Sequence, residues 1–419
     1  MISKIAKFNP WQNFKSPEFG LGKPKYRLLF PIIILLGFGV FMQFRLEPAL
    51  QGASLLDSNQ AYFWRHLLWV IVGLGVFWLG FKIKLQLLLK FSLAAVIIAL
   101  ILSLAAVVIG TSADLRWLNL GLLSVQPVEF LKVGFILLTA GYIYQAQSQV
   151  KQKESQLPFH RLFYQTLLNH RWSFILISLI SIIVLILQKD LGSLAVIGCI
   201  FLGMLFITNI PKRVWWSLIV IGLLLGFLSI VQTSYRGDRL TTFWNRASDC
   251  QDLGYQVCQA QRGVGSGGLI GRGFNDSVLI YGWLPEAKND TIFVTWAEVF
   301  GFIGSMVLIG FLSLLLFLIY RIGLRLEDRF KLIAAGLLIW LGFQAFINIG
   351  GNIGAIPLTG ITLPLISAGG SSLIAILFIL GIFLQISAYT IKKDETENYQ
   401  NHDYRWWHRR SRHTPNRRS

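Results

Sequence analysis

The sequence predicts an all-α polytopic membrane protein with about ten transmembrane helices. Of its 419 residues, 54% are hydrophobic and only 14% are charged, whereas soluble domains carry roughly 25% charged residues. Ten mostly apolar stretches approach the roughly 20 residues that a spanning helix needs: 28–44, 66–81, 91–110, 129–147, 173–188, 191–208, 215–232, 291–320, 332–350 and 369–389. The fifth and sixth stretches are short and separated only by QKDLGS, so one broken helix is the alternative there.

The distribution of Lys and Arg predicts the orientation. If the N-terminus is cytoplasmic, 27 basic residues fall in cytoplasmic segments and ten in outer segments, while Lys132 lies inside a helix. Cytoplasmic loops of membrane proteins carry an excess of Lys and Arg. We therefore expect both termini to be cytoplasmic. The net charge of +18 follows from the same bias, since no basic soluble domain is present to bind nucleic acid.

Three regions are predicted along the chain. Residues 1–27 form a cytoplasmic N-terminal segment, 28–389 the ten-helix membrane domain, and 390–419 a basic cytoplasmic tail. The tail either lies against anionic lipid or is a disordered extension. One extracytoplasmic loop, 233–290, is much longer than the others, and long loops are usually functional.

Two acidic positions lie at the starts of predicted spans. Glu129 and Lys132 are three residues apart, so they share a helix face and can pair. Ionisable groups at membrane depth normally face the bundle interior or a wet cavity, so the pair is either structural or lines an outward-facing cavity. Asp190 directly precedes an apolar run, which is typical of a helix N-cap and compatible with a place near a cavity.

The stretch YGWLPEAKND crowds charge before the eighth span. It contains Glu286, Lys288 and Asp290, and Glu298 follows about two turns into the helix. Asp290 could serve as the helix N-cap. A carboxylate held near other charges can also be tuned as a general base.

Other outer features leave alternatives open. The Gly-rich segment 263–273 is either a flexible loop or an anion-binding nest of backbone amides. Cys250 and Cys258 could form a disulfide in an oxidising exterior, but spacing does not decide this. Arg side chains match phosphate oxygens and also anchor at interfaces. The outer segments contain Arg116, Arg236, Arg239, Arg246, Arg262 and Arg272.

Five segments in order carry a family resemblance over most of the chain: RWLNLGLLSVQPVEFLK (116–132), QKDLGS (188–193), GYQVCQAQRGVGSGGLIGRGF (254–274), LPEAKNDTIFVTWAEVFGFIG (284–304) and NIGGNIGAIPLTGITLPLISAGGSS (348–372). They resemble the SEDS family, the FtsW/RodA proteins of bacterial cell-wall synthesis, and the FtsW branch more closely. The resemblance implies the SEDS-type fold, with ten spans and both ends cytoplasmic, in the bacterial cytoplasmic (inner) membrane.

The resemblance also implies a function. SEDS proteins are peptidoglycan glycosyltransferases that polymerise lipid II at the outer face of the membrane, and the family's essential aspartate matches Asp290. Its membrane Glu–Lys pair matches Glu129 and Lys132, and Asp190 matches an acidic position near the cavity. The further substrate or cavity candidates are Arg116, Gln126, Arg262, Glu286, Lys288, Glu298 and Ser367.

The resemblance implies partners and leaves rival functions. The family works with a single-pass class B penicillin-binding protein, a transpeptidase, within the division or elongation machinery. No cofactor is implied, although a divalent cation, Mg²⁺ or Mn²⁺, could share the charge of the pyrophosphate. The alternatives are a RodA-like elongation polymerase, a lipid II flippase and a non-catalytic scaffold. The family's His-Thr before the aspartate is replaced here by Lys288-Asn289, which bears on substrate details.

Overall fold

The computed structural model describes residues 26–51, 61–110, 115–119, 124–152, 172–208, 212–231, 243, 250, 254–277, 284 and 286–387. The predicted 1–27 segment lies almost wholly, and the 390–419 tail wholly, outside these residues, and parts of the 233–290 loop lie outside them as well. The described helices are α1 Leu29–Gln51, α2 Ala61–Lys82, α3 Leu85–Lys90, α4 Ser92–Ile109, α5 Pro127–Gln152, α6 Trp172–Leu187, α7 Leu191–Phe206, α8 Lys212–Val231, α9 Tyr255–Ser266, α10 Ile292–Gly323, α11 Asp328–Asn352 and α12 Gly370–Ser387.

Each predicted span corresponds to one of these helices. Seven helical ranges in the described part of the chain are long and apolar enough to cross a membrane, and they lie in α1, α2, α4, α5, α10, α11 and α12. The apolar ranges of α6 and α7 are shorter, as the sequence indicated. The polytopic helical fold predicted from the sequence is confirmed.

The fifth and sixth stretches form two separate helices. Lys189 adopts a left-handed backbone with φ of 56°, and the Asp190 amide donates to the carbonyl of Leu185 at 3.0 Å. This arrangement closes α6, because the left-handed residue turns the chain out of the helix. Asp190 then caps α7 by accepting from the Ser193 amide at 3.0 Å. The single broken helix is therefore not what forms.

Helices α5 and α12 occupy the interior of the bundle. In their apolar windows 89% and 94% of residues are buried, whereas only 28% are buried in the windows of α2 and α10. The outward faces of α2, α4 and α10 are rich in exposed Leu, Ile, Val and Phe. Such faces suit lipid, since lipid tails are as apolar as these side chains.

Glycine allows the close approach of α2 and α12. A Cβ added at Gly381 would overlap the carbonyl oxygen of Phe77, and one added at Gly80 would lie 2.6 Å from the carbonyl oxygen of Phe378. Small residues at helix interfaces let backbones approach in membranes.

The only strands among the described residues are β1 Leu118–Asn119 and β2 Ser124–Val125, which pair antiparallel just before α5.

Candidate active site

A tight turn over residues 286–291 leads into α10. Glu286 has φ of 55°, and its carbonyl accepts from the amides of Asn289 at 2.9 Å and Thr291 at 3.3 Å. The Asn289 side chain also donates to the Glu286 carboxylate at 2.7 Å. Thr291, not Asp290, occupies the N-cap position of α10. The N-cap position predicted at Asp290 is therefore wrong by one residue.

The first two of three successive carbonyls in this turn are held from other elements. The carbonyl of Lys288 accepts from the Gln43 side chain of α1 at 3.0 Å and from the Ala368 amide at 3.1 Å. The carbonyl of Asn289 accepts from the Ser367 hydroxyl at 2.8 Å. The backbone of the turn is thereby fixed to α1 and to the segment before α12.

The third carbonyl belongs to Asp290 and is held by α11. It accepts from the side-chain amides of Asn348 at 2.8 Å and Asn352 at 2.9 Å. The Asp290 residue itself is half-buried. Its Oδ2 lies 3.2 Å from the position that a Cβ on Gly360 would take, and Gly360 has φ of 71°. The absence of a side chain at 360 thus leaves room beside the carboxylate.

The Glu129–Lys132 pair lies in the interior. Lys132 Nζ and Glu129 Oε1 are 2.7 Å apart, with side-chain exposures of 1% and 6%. The ammonium also lies 5.6 Å from the ring centroid of Trp340, whose indole N–H donates to Gln344 at 2.6 Å. The predicted pairing is present, and its face points into the bundle. The second carboxylate oxygen, Glu129 Oε2, is buried without a hydrogen-bond partner among the described residues.

Asp190 connects the beginnings of α5 and α7. Besides the Ser193 amide, it accepts from the Ser193 hydroxyl at 2.8 Å and from the Gln126 side chain at 3.1 Å. The amide of Gln126 donates in turn to the Ser371 hydroxyl of α12 at 3.2 Å. The predicted N-cap is confirmed. The first turns of α5, α7 and α12 therefore meet at one end of the bundle.

Comparisons with known proteins identify the family. The model of the FtsW, RodA and SpoVE proteins, described as a cell cycle protein family, matches residues 26–392. The chain belongs to the FtsW/RodA/SpoVE family. It is a multi-pass protein of the bacterial cytoplasmic membrane.

Two relatives in this family carry the name "Probable peptidoglycan glycosyltransferase FtsW". The protein from Nitrosomonas europaea is 32% identical over 86% of this chain and 91% of its own length. The protein from Coxiella burnetii is 35% identical over 83% of this chain and 92% of its own length. These relatives favour the FtsW branch over the RodA branch.

Two solved structures have the same fold. A chain of a peptidoglycan synthase complex, described as coordinating polymerization and crosslinking, superposes with a TM-score of 0.67 and 25% identity, over 87% of this chain and 97% of that chain. RodA of Thermus thermophilus superposes with a TM-score of 0.60 and 24% identity, over 87% and 96% of the two chains. The RodA likeness establishes the fold alone.

In this family member the Gly-rich segment 263–273 packs closely against α10. Residues up to Ser266 belong to α9, and the following loop docks on α10 where that helix breaks at Gly301, which has φ of 66°. A Cβ at Gly267 would overlap the Ala297 carbonyl oxygen, and a Cβ at Gly271 would overlap that of Val299. Glycine is therefore required because two backbones touch.

The same loop supplies the hydrogen bonds that the helix break leaves open. The amides of Arg272 and Gly273 donate to the carbonyls of Glu298 and Val299 at 2.9 and 3.0 Å. In return, the amides of Phe302 and Ile303 donate to loop carbonyls at 2.9 and 3.1 Å. Since the loop amides at 272 and 273 already donate to the protein, the anion-nest interpretation is wrong for them.

Glu298 lies beneath this loop. It is buried, and its Oε2 accepts from the Ser277 hydroxyl at 2.5 Å. Cys250 and Cys258 form a disulfide, which settles the question that their spacing left open. The Ser277–Glu298 hydrogen bond ties the described part of the long loop to α10, whereas the disulfide joins two positions within that loop.

The arginine candidates are only partly described. Arg116 is half-buried in the turn before β1, and Arg262 is exposed on α9. Arg272 is exposed and its Nε donates to the Ser266 carbonyl at 3.0 Å. The remaining three, Arg236, Arg239 and Arg246, lie outside the described residues.

Within the described ranges, no group of three His, Cys, Asp or Glu side chains could hold a metal ion.

The sequence interpretation missed a polar stripe on α11. Trp340, Gln344, Asn348 and Asn352 recur at intervals of four, so they share one helix face. At its two ends this face contacts Lys132 and the Asp290 carbonyl. Three side-chain amides in one apolar span were the available signal, since polar groups at membrane depth are costly and mark function.

Proposed function

We propose that this FtsW/RodA/SpoVE family member is a peptidoglycan glycosyltransferase of the division type, which polymerises lipid II at the outer face of the membrane. The observation that carries the proposal is the turn at 288–290. Its three carbonyls are hydrogen-bonded to other elements, while the half-buried Asp290 carboxylate stands beside Gly360. A base for sugar transfer needs this combination of fixed position and access to substrate.

In the proposed reaction Asp290 is the general base. It removes the proton from the acceptor sugar hydroxyl as that oxygen attacks the anomeric carbon of the lipid-linked donor. The bond from this carbon to the pyrophosphate oxygen breaks, and the polyprenyl pyrophosphate leaves. Attack from the opposite side inverts the carbon, so an α-linked donor becomes a β-linked glycan.

Positive charge would stabilise the leaving pyrophosphate. Lys288, Arg116 and Arg262 are the cationic candidates among the described residues. The beginnings of α5, α7 and α12 contribute as well, because helix N-termini carry partial positive charge that favours anions. Fixed charges of this kind stabilise a transition state without reorganisation.

The remaining candidates have supporting roles in the proposal. The polar side chains at the beginnings of α5 and α7 would line the site on one side; they are Glu129, Lys132, Asp190 and Gln126. Ser367 fixes the turn at 288–290. Glu286 and Glu298 support the turn and the first part of α10. Mg²⁺ binds with few carboxylates and with substrate phosphates, so Mg²⁺ or Mn²⁺ could accompany the pyrophosphate of the substrate.

The decisive experiment measures glycan made from lipid II by the purified protein, using gel analysis. A general base contributes about 10²–10⁴-fold to rate. Asp290→Asn should therefore lower polymerisation by at least about 100-fold while its thermal unfolding stays at the wild-type temperature. The matched control is Asp276→Asn, which changes an exposed aspartate and should keep full activity. Full activity of Asp290→Asn would eliminate the proposal.

A lipid II flippase is the second candidate, favoured by the buried Glu129–Lys132 pair. It predicts translocation of lipid II in reconstituted vesicles without polymer, and greater sensitivity of translocation to the double variant Glu129→Gln/Lys132→Met, which should fold, than to Asp290→Asn. Vesicles that form polymer, and lose it with Asp290→Asn, would exclude this candidate as the main activity.

We also propose a class B penicillin-binding protein as the partner. The support is the resemblance to a chain of a solved peptidoglycan synthase complex. Adding a purified single-pass transpeptidase of this class should raise the polymerisation rate. An unchanged rate, together with no co-purification from membranes, would contradict the partnership.

A further inference from the structure

The polar stripe on α11 lies between the two charged sites. Its members Trp340, Gln344, Asn348 and Asn352 are all nearly or fully buried. A buried amide without a partner would cost free energy. The hydrogen bonds of the two asparagines therefore show which groups these buried amides hold.

Asn348 uses its amide fully. Its Nδ2 donates to the carbonyl of Asp290 at 2.8 Å and to the carbonyl of Ile361 at 2.7 Å. Its Oδ1 accepts from Asn352 at 3.1 Å. One side chain thus links the residue that carries the carboxylate to the residue that follows Gly360, on the opposite wall of the site.

Asn352 provides a second bond to the same acceptor. Its Nδ2 donates to the Asp290 carbonyl at 2.9 Å as well as to Asn348. The Asp290 carbonyl therefore accepts two side-chain hydrogen bonds from one helix face. Two donors fix the direction of that carbonyl more tightly than one, and with it the backbone dihedral ψ of Asp290.

We propose that Asn348 and Asn352 are positioning residues for the Asp290 carboxylate, with Asn348 the more important. This role rests on the proposed function. By holding Asp290 and Ile361 together, Asn348 sets the position of the carboxylate relative to Gly360. Displacement of a catalytic group by about 1 Å can cost about 100-fold in rate.

The first test is steady-state polymerisation of lipid II by the full-length protein with its transpeptidase partner. Asn348→Ala should lower kcat by about 10- to 100-fold and change KM by less than about twofold, because neither asparagine is expected to bind substrate. Asn352→Ala should lower kcat by less, since Asn348 still donates. Wild-type kcat for both variants would overturn the role.

A matched control separates positioning from general stability. Gln385 is also a largely buried amide, and it donates to the carbonyl of Ile83 at 2.8 Å. It lies at the opposite end of α12 from the site. Gln385→Ala should keep wild-type kcat at a similar loss of thermal stability. An equal fall of kcat in Gln385→Ala would overturn the positioning role, and Asn352→Ala carries the test if Asn348→Ala does not fold.

A double substitution tests whether Asn348 acts through Asp290. Asp290→Glu keeps a carboxylate but moves it by one methylene. If Asn348 acts by positioning Asp290, adding Asn348→Ala to Asp290→Glu should lower kcat less than it does in the wild type, because coupled residues are non-additive. If the fold losses in kcat of the two single variants instead multiplied in the double variant, the two residues would act independently, which would contradict the positioning role. Full activity of Asp290→Asn would instead refute the proposed function and the role together.

Discussion

Asp290 and Glu129 are both carboxylates at the beginning of a span, but the protein holds them in opposite ways. Glu129 is buried, and its side chain pairs with Lys132 at 2.7 Å. Asp290 is half-buried, and its main chain is hydrogen-bonded to α11. The Glu129 site is therefore held by an opposite charge, whereas the Asp290 site is held by hydrogen bonds to its backbone.

The contrast separates stability from chemistry. A buried ion pair is costly to break, because the remaining charge stays in a medium that does not solvate it. A residue that is held through its main-chain carbonyl can lose its side-chain charge without disturbing the hydrogen bonds that fix its backbone. We therefore expect changes at Glu129 and Lys132 to affect folding first, and changes at Asp290 to affect rate alone.

The largest effect on stability is expected for Lys132→Met. It leaves the Glu129 carboxylate buried without its cation, which should cost about 3–5 kcal/mol of unfolding free energy. The double variant Glu129→Gln/Lys132→Met should recover most of this loss, since neither group is then charged. Denaturant unfolding in detergent measures both. A single variant as stable as the wild type would remove the distinction between the two sites.

An intermediate effect is expected where the loop meets α10. Gly271→Ala places a Cβ against the Val299 carbonyl at φ of 92°, and we expect a loss of about 2–4 kcal/mol. The control is Gly268→Ala, which also has a positive φ of 56° but has no atom within 4 Å of the added Cβ. It should lose only about 1–2 kcal/mol. Equal losses in thermal unfolding would show that the backbone contact contributes little.

The smallest effect is expected for Ser277→Ala. The hydroxyl donates to buried Glu298, and removing one partner of a buried hydrogen bond costs about 1–3 kcal/mol. We expect the lower end of this range, with kcat for lipid II polymerisation changed less than by Asn348→Ala. A larger fall in kcat would mean that Glu298 takes part in the reaction, and that the site has two working carboxylates.

The features predicted from the sequence are those with local causes. Hydropathy gave the spans, the three-residue spacing of Glu129 and Lys132 gave their pairing, and the position of Asp190 before an apolar run gave its cap. Each depends on residues that are close together in the chain. Periodicity and capping rules are sufficient for such features.

The features that were missed depend on distant parts of the chain. The Asp290 carbonyl is held by Asn348 and Asn352, which lie 58 and 62 residues further on. The docking of the Gly-rich loop on Gly301 likewise joins separate segments. The same glycines fit a nest, a mobile loop or a close backbone contact, and only tertiary structure distinguishes these cases. The polar stripe on α11 was visible as a pattern, but its partners were not.

The break at Gly301 has a consequence for where Asp290 stands relative to the bilayer. At 1.5 Å per residue, residues 301–323 extend about 34 Å, which alone exceeds the roughly 30 Å hydrocarbon thickness. We therefore expect that the shorter arm, 292–300, is not needed to cross the hydrocarbon layer. On the proposed function, it would hold Asp290 near the lipid headgroups, at the level of the diphosphate of a polyprenyl carrier.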